Sequence, residues 1–344
     1  MTPAVSSVEN LSHLKWQASS HAGESFADIQ ISASDLAGSD FRGSDLRNVS
    51  FSDVDLQGVD FSGARFHLTR FRRCQLRRAS WRACDLRESE IRESDLTGSD
   101  FRHATIRKSV IAATDMANAN LAACDMEEAI LEGDDLRGAC FARAKLARTS
   151  LSGSRLTAAM LVEAEISGGT WSHNDISKVT AQGASFFGTN LGASNFRFAD
   201  LSFVRLEGCE MSLATFERAS LMGATFSKVD ARDVNLDFCD LRRSRLDHSR
   251  LNRSILVGVS LEGSVASRCS FQDADFYWAD LTGFTHHNCN FTRVRWPEEV
   301  KIAYGPKGVT PPHVNPVPLY RKAATEEERK KLLESYLEIG GEKT

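Results

Sequence analysis

The sequence does almost entirely without proline. Of its seven prolines one is Pro3 and six lie between Pro297 and Pro318, which leaves 293 consecutive residues with none. Ordinary usage of about 5% would put roughly fifteen there. A globular chain with many loops does not read this way, so a structural constraint excludes the residue. Long apolar runs are missing as well: no stretch reaches the ~18 residues that a membrane-spanning helix needs. Residues 1–17 have neither a cationic start nor an apolar core, which argues against a secretory signal and for a cytoplasmic protein. With 42 Lys+Arg against 46 Asp+Glu, the chain is neither a polybasic nucleic-acid binder nor an acidic-tail protein.

What is present is a repeat. Every fifth residue from Phe26 to Trp296 forms a class of 55 positions, and 51 of them are Leu, Ile, Phe, Met or Trp; the exceptions are Ala181, Ala231, Ala266 and His286. Two residues before each centre sits a second class, in which 50 of 55 members are Ala, Ser, Thr, Cys, Val or Gly, and Glu24, Ile29, Asp134, Asn174 and Phe284 depart from it. A period of five fits neither a helix nor a strand, so each unit is a short extended piece followed by a turn. Residues two apart then point inward together, and the residue between them, Asp or Asn in 22 of 55 units, points out. Sixteen of the 23 glycines occupy the second corner residue, where a type II turn needs positive φ. Four quarter-turns close a coil of about 20 residues, and coils stack through strand-like hydrogen bonds, which proline would interrupt.

Tandem units such as Ser94-Asp95-Leu96-Thr97-Gly98 resemble the pentapeptide repeat proteins. The resemblance covers residues 26–296 and implies an all-β solenoid, a right-handed quadrilateral β-helix, here of about 14 coils. Residues 1–25, where Leu11 and Trp16 keep the register, are expected to wrap or cap the first coil, because an open coil edge invites association. Residues 297–324 read as a proline-rich extended segment. Thr325-Glu326-Glu327-Glu328 is a capping box that opens a short C-terminal α-helix within 325–344, with Leu332, Leu333, Tyr336 and Leu337 on one stripe. That helix, or the end coil, is a candidate for capping the rod, for pairing with a second copy as a homodimer, or for docking a different partner.

The repeat also absorbs the residues that suggest chemistry. Seven of eight cysteines (Cys74, Cys84, Cys124, Cys209, Cys239, Cys269, Cys289) fall in the inward small class and read as reduced buried thiols. His286, His287 and Cys289 match no zinc spacing. Stacked aspartates such as Asp95, Asp115 and Asp135 recur as a repeat position rather than at one cleft. No catalytic order, phosphate loop or dinucleotide fingerprint is present, so the expectation is a non-enzymatic scaffold with no cofactor or metal, whose partner is a protein.

Some members of this family act as DNA mimics that bind DNA gyrase or topoisomerase IV and confer fluoroquinolone resistance; others serve bacterial secretion systems as effectors or accessory proteins. Both are alternatives here. A mimic needs an acidic surface. Residues 26–296 hold 36 acidic and 33 basic side chains, and no face departs from balance by more than two. Charge is instead banded along the chain: residues 65–108 hold 12 Lys/Arg and 6 Asp/Glu, and residues 109–135 hold seven acids and no base. The basic belt is Arg72, Arg73, Arg77, Arg78, Arg82, Arg87, Arg92, Arg102 and Arg107. Phe198, Phe238 and Trp278 share one corner column, with Phe203, Met222 and Tyr277 beside it, a candidate protein interface.

Overall fold

The computed structural model describes residues 9–297. Residues 298–344, with the expected C-terminal helix and its Leu332, Leu333, Tyr336 and Leu337, lie outside the described residues. The described chain winds as a parallel β-solenoid. Seven short strands, β1 (Glu9–Ser12) to β7 (Ile130–Glu132), stack in chain order into one sheet, and eight more, β8 (Lys145–Ala147) to β15 (Thr285–His287), into a second. Within each sheet a strand pairs with its counterpart one coil further on, as Phe51 does with Phe71. The other sides of each coil stack through single parallel bridges such as Asp35↔Asp55. Residues 9–25 follow the same register, Leu11 pairing with Ile31 and Lys15 with Asp35. No helix long and apolar enough to cross a membrane is present among the described residues.

The pentad has five backbone N–H groups, and each has a defined role. Around Leu36, the centre donates up to Asp55 (2.8 Å), the second corner residue Gly38 donates to Gln57 (2.8 Å), and the outward Asp55 donates back to Ser34 (2.9 Å). The next small residue, Ser39, closes the turn onto Leu36 (3.2 Å). The first corner N–H, at Ala37, is accepted by the Asp35 carboxylate at 3.2 Å. That last bond explains the Asp/Asn preference: the side chain forms an Asx turn and satisfies an N–H that no coil neighbour reaches. Proline would delete an inter-coil donor at three of the five positions in every unit, the turn bond wherever the corner is closed, and the first-corner bond wherever the outward residue is Asp or Asn.

Inside, the centres form one continuous column of buried Leu, Ile, Phe, Met and Trp, from Ile31 to Leu281. Aromatic centres stack coil on coil, with Phe51 and Phe71 4.7 Å apart, Phe196 and Phe216 4.6 Å, and Trp81 and Phe101 5.4 Å. Hydroxyls and thiols of the small class are tolerated because they donate to a centre carbonyl in the preceding coil, as Ser99 does to Leu76 (2.8 Å), Thr149 to Met126 (2.9 Å) and Cys124 to Phe101 (2.8 Å).

The expected turn does not close every corner. The corner that follows each strand, and also those after Leu151 and Trp171, lacks the bond back to the centre, and its N–H is left over. In several coils a polar side chain one coil on accepts it. Ser94 Oγ takes Cys74 N–H (3.0 Å), Asp134 Oδ1 takes Thr114 N–H (2.8 Å), Ser154 Oγ takes Asp134 N–H (3.3 Å), and Asn174 Oδ1 takes Ser154 N–H (2.8 Å). Asp134 and Asn174, two departures from the small class, thus supply acceptors where the corner is open. They also mark the place where the strand side moves, from β7 at 130–132 to β8 at 145–147. Gly168 and Gly169 sit at the same transition with φ of +64° and +75°.

A Cβ on Gly169 would stand 2.2 Å from the Thr149 carbonyl oxygen and 2.9 Å from its nitrogen, both backbone, whereas Gly153 has open space around it at φ +71°. Gly169→Ala therefore destabilises by at least about 2 kcal/mol more than Gly153→Ala in chemical denaturation. Asp134 is 1% exposed, with Oδ2 unpartnered, and burial raises its carboxyl pKa to about 7. Below about pH 4 both folded and unfolded chains are protonated there. Between about 4 and 7 only the unfolded chain releases the proton, so rising pH removes stability on the order of a few kcal/mol. Asp134→Ser, a residue already used in this column, raises the melting midpoint at pH 8 and leaves it nearly unchanged at pH 4, as parallel melts would read.

Candidate functional site

Charge on the rod is paired at a few fixed offsets. Within one unit, Arg two residues after Asp clasps it in two places: Arg42 on Asp40 (2.9 and 2.7 Å), Arg47 on Asp45 (2.8 and 2.7 Å), and likewise Arg87, Arg102, Arg137 and Arg242. Between coils, the first-corner Arg77 reaches the outward Asp95. Stacked second-corner residues pair directly, as Arg73 with Asp53 (2.7 Å) and Arg253 with Asp233 (2.7 Å). These bonds hold carboxylates below their usual range, Asp40 at about 2 beside Arg42. Each exposed pair is worth only ~0–1 kcal/mol. Their collective effect is to cancel the field.

The basic belt lies within this pairing. Arg72, Arg73, Arg77, Arg82, Arg87, Arg92, Arg102 and Arg107 all have a carboxylate partner. Only Arg78 lacks one among the described residues, and its chain passes over Gly98. The nine arginines occupy all four corners of the coil, so they ring the rod rather than line one face.

The aromatic column is also partly self-contained. Arg218 lies between Phe198 and Phe238 in the same column, its guanidinium 5.8 and 5.9 Å from the two ring centroids. Phe238 folds over Gly258, where an added Cβ would meet the ring at 2.6 Å. Tyr277 stacks on Trp278 at 4.8 Å and under Arg295 at 4.1 Å. Phe238, Tyr277, Trp278 and Met222 are consequently half-buried, and of the six column residues only Phe198 (47%) and Phe203 (59%) are exposed.

Seven further large apolar residues are exposed, Leu68, Ile130, Met160, Phe187, Leu213, Ile255 and Val265, and the most exposed of them are Phe187 (58%) and Leu213 (69%). Both stand at corners, and with Phe198 and Phe203 they occupy all four corners of the rod, one corner each. A search for large apolar residues at corner positions around one coil, rather than along one column, would have found them. Next to this girdle charge runs out. Residues 149–196 hold only five charged side chains, and no ion pair among the described residues involves residues 164–196. On one side Ser150, Thr170 and Asn190 stack outward, flanked by Ser152, Gly153, Ser172 and Gly192. The result is a flat side with few charges, bordered at its two corners by Phe187 and Leu213.

A shallow notch of about 350 Å³ lined by Ala122, Ala123, Ala142 and Val162, with His103, Arg143 and Glu163 at its rim, is open and mostly apolar. No group of three or more metal-capable side chains forms among the described residues. His286 packs against Phe291 (4.9 Å) while His287 is exposed. All eight cysteines are free; burial pushes the Cys74 thiol up to about 11 and Cys124 to about 12, which leaves those two inert.

A four-sided parallel coil with a five-residue unit defines the class, a quadrilateral β-solenoid. The family model "Pentapeptide repeat region" matches residues 24–101, and "Pentapeptide repeats (8 copies)" matches residues 114–170 and 175–283 in five segments. The chain belongs to the pentapeptide repeat family, and at that level it is a non-catalytic β-helix protein. Similar solved structures include HetL, a pentapeptide repeat protein involved in heterocyst differentiation regulation from the cyanobacterium Nostoc sp. strain PCC 7120, at 25% identity over 61% of this chain and 86% of that one, TM-score 0.28. QnrB1, a plasmid-mediated fluoroquinolone resistance protein, aligns at 18% identity over 59% and 91%, TM-score 0.22. Rfr23 from the cyanobacterium Cyanothece 51142 aligns at 14% over 41% and 90%, TM-score 0.17. No curated protein matches.

The column packing makes a stability prediction. Phe238→Ser, which uncovers Gly258 and one side of Arg218, costs about 1–2 kcal/mol, and Leu213→Ser stays within about 0.5 kcal/mol of the parent in the same denaturation experiment.

Proposed function

We propose that the protein is a non-enzymatic, protein-binding rod whose contact surface is the neutral band around residues 149–213. The girdle of Phe187, Phe198, Phe203 and Leu213 beside a stretch free of ion pairs carries this reading. Interface cores are depleted in charge and enriched in aromatics, and isolated apolar residues elsewhere on a surface need no such explanation. Flatness suits a partner with an extended, equally flat face.

A topoisomerase partner is the second reading. Asp35, Asp55, Asp95, Asp115, Asp135 and Asp175 stack on one side of the rod, at ~4.8 Å between successive coils, as a regular anionic line. Family membership brings this reading forward. Gln75 and Arg155 interrupt the line, and Arg77, Arg137 and Arg155 bind its carboxylates. The local neutralisation supports the first reading over the second.

One set of proteins separates them. Phe187→Ser/Phe203→Ser/Leu213→Ser and Asp55→Asn/Asp115→Asn are compared with the parent in affinity capture with partner identification, and in a gyrase supercoiling assay. The expected result is at least tenfold less captured partner with the first variant, an unchanged amount with the second, and no effect of any protein on supercoiling at micromolar concentration. Equal capture by the first variant overturns the proposed surface. Supercoiling inhibition abolished by the Asp variant establishes the topoisomerase reading in its place.

A further inference from the structure

Two of the eight cysteines stand a single coil apart. Cys269 and Cys289 are twenty residues from each other, and no other two share that interval. Both belong to the small class, so they share one inward column. The corner after β14 (Val265–Ser267) is one of the open ones, and Cys289 Sγ accepts its left-over N–H, that of Cys269, at 3.4 Å. The Cys269 thiol lies within hydrogen-bond reach of the same sulfur. Their surroundings differ. Cys269 is 2% exposed, whereas Cys289 is half-exposed, because no coil follows its own among the described residues. The Cys269 thiol and N–H, both donating, hold the Cys289 thiol below its usual range. Donating to Cys289, together with burial, pushes the Cys269 thiol up. One sulfur is therefore accessible and ionisable, and the other is shielded and protonated. That is the division between an attacking and a resolving thiol.

We infer that Cys269 and Cys289 form a reversible disulfide by exchange with a low-molecular-weight disulfide, and that this bond locks the last coil, residues 281–297, onto the coil before it. In-register residues of neighbouring coils stand ~4.8 Å apart, inside the ~4.4–6.8 Å between Cα atoms that a disulfide spans. Side chains in one column run parallel, so closing the bond requires the last coil to tilt toward its neighbour. That coil is the one held from a single side among the described residues: β15 pairs with β14 alone, and no residue from Thr285 to Trp296 is fully buried. Its centre His286 is half-exposed in the column where Phe226, Leu246 and Ala266 are buried. A covalent link falls where packing holds the rod least, and the ring it closes is one coil long.

The exchange balances in two steps. The Cys289 thiolate attacks one sulfur of the small disulfide; a mixed disulfide forms, the original S–S bond breaks, and one small thiolate leaves with the proton that Cys289 released. With Cys289 no longer an acceptor, the Cys269 proton loses its partner. The Cys269 sulfur then gives up that proton and attacks Cys289 Sγ, and the second small thiolate leaves and takes the proton. Two protein thiols are oxidised and one small disulfide is reduced to two thiols.

Cys140, half-exposed but without a cysteine one coil away, is the internal control. The full-length protein, Cys269→Ser and Cys289→Ser are incubated at neutral pH with graded ratios of oxidised to reduced glutathione. Linkages are mapped by peptide mass spectrometry, molar mass is read by light scattering, and hydrogen exchange is followed across 201–220 and 281–297. Serine already fills this class at Ser39 and Ser44, and equal exchange of 201–220 in all three reduced proteins verifies that the variants fold. The expected result is an intramolecular Cys269–Cys289 bond in the parent, formed at least tenfold faster than Cys140 gains glutathione and reversed by dithiothreitol. Cys269→Ser stops at a glutathione adduct on Cys289, and Cys289→Ser leaves Cys269 unmodified. Oxidation of the parent slows exchange of 281–297 at least threefold and leaves 201–220 unchanged. Absence of the intramolecular bond at a ratio that fully modifies Cys140 overturns the proposal. A parent that stops at the Cys289 adduct, a doubled mass with the bond between two chains, or unchanged exchange of 281–297 in the oxidised protein overturns it as well.

Discussion

Everything in this molecule depends on one backbone contact: an N–H of one coil donating to a carbonyl of the next, as Leu36 does to Asp55 and Asp55 in return to Ser34. Once the chain meets itself at that fixed interval, the remaining choices narrow sharply. Three of five N–H groups are spent between coils, a fourth closes most corners, and the fifth is taken by the outward side chain in the 22 units where that is Asp or Asn. A residue without an N–H costs the stack a bond at most positions, which is why proline vanishes for 293 residues. The side-chain ladders inherit the same interval. Hydroxyls of the small class reach centre carbonyls in the coil before, arginines reach carboxylates in the coil above or below, and phenyl rings stack directly on one another.

That inheritance governs electrostatics as well as stability. On a globule, charges meet neighbours scattered in sequence. Here every corner residue has another corner residue directly above and below it, so opposite charges placed one coil apart neutralise one another along the whole axis. The rod projects little long-range field despite 46 acidic and 42 basic residues in the chain. Recognition must then come from places where the pairing lapses. Between residues 164 and 196 it lapses completely among the described residues, and apolar corner residues stand at the far edge of that gap. The transition of the strand side, with its buried Asp134, falls just before it, and Asn174 and the paired glycines lie inside it. The least regular part of the interior and the least charged part of the exterior are thus neighbours.

The fold was legible because its rule is periodic: centres and small positions separate by counting fives, and even the exceptions carried information. Asp134 and Asn174 broke the small class for a physical reason, supplying acceptors to open corners, but that reason requires knowing which corner lacks its turn. The N-terminal residues Leu11 and Trp16 announced a continuing register that the strand pairing of residues 9–25 follows. The site was less legible. Column membership placed Phe198, Phe238 and Trp278 on one line correctly, yet exposure depends on what fills the coil between them. Arg218 and Gly258 fill it, one by inserting and the other by leaving room for a ring to lie down. The arginine belt was real as a composition, but its pairing was not visible in a running sum, because its partners lie in the same unit or a whole coil away. Phe187 and Leu213 went unnoticed because they belong together around the rod, not along it.

The five-residue unit also makes the rod an indexing device. Deleting one unit preserves the alternation of small and large inward residues on both sides of the cut, so the core still closes. Everything downstream, however, arrives a quarter-turn early and one side over. Phe203 would move to the next corner, carboxylates would face new columns, and arginine pairs straddling the cut would lose alignment while those beyond it stayed matched. A chain built this way can rotate one half of its surface against the other without altering a single surviving side chain. Geometry between distant patches is therefore open to change in discrete quarter-turn steps, a freedom that a globular fold does not have.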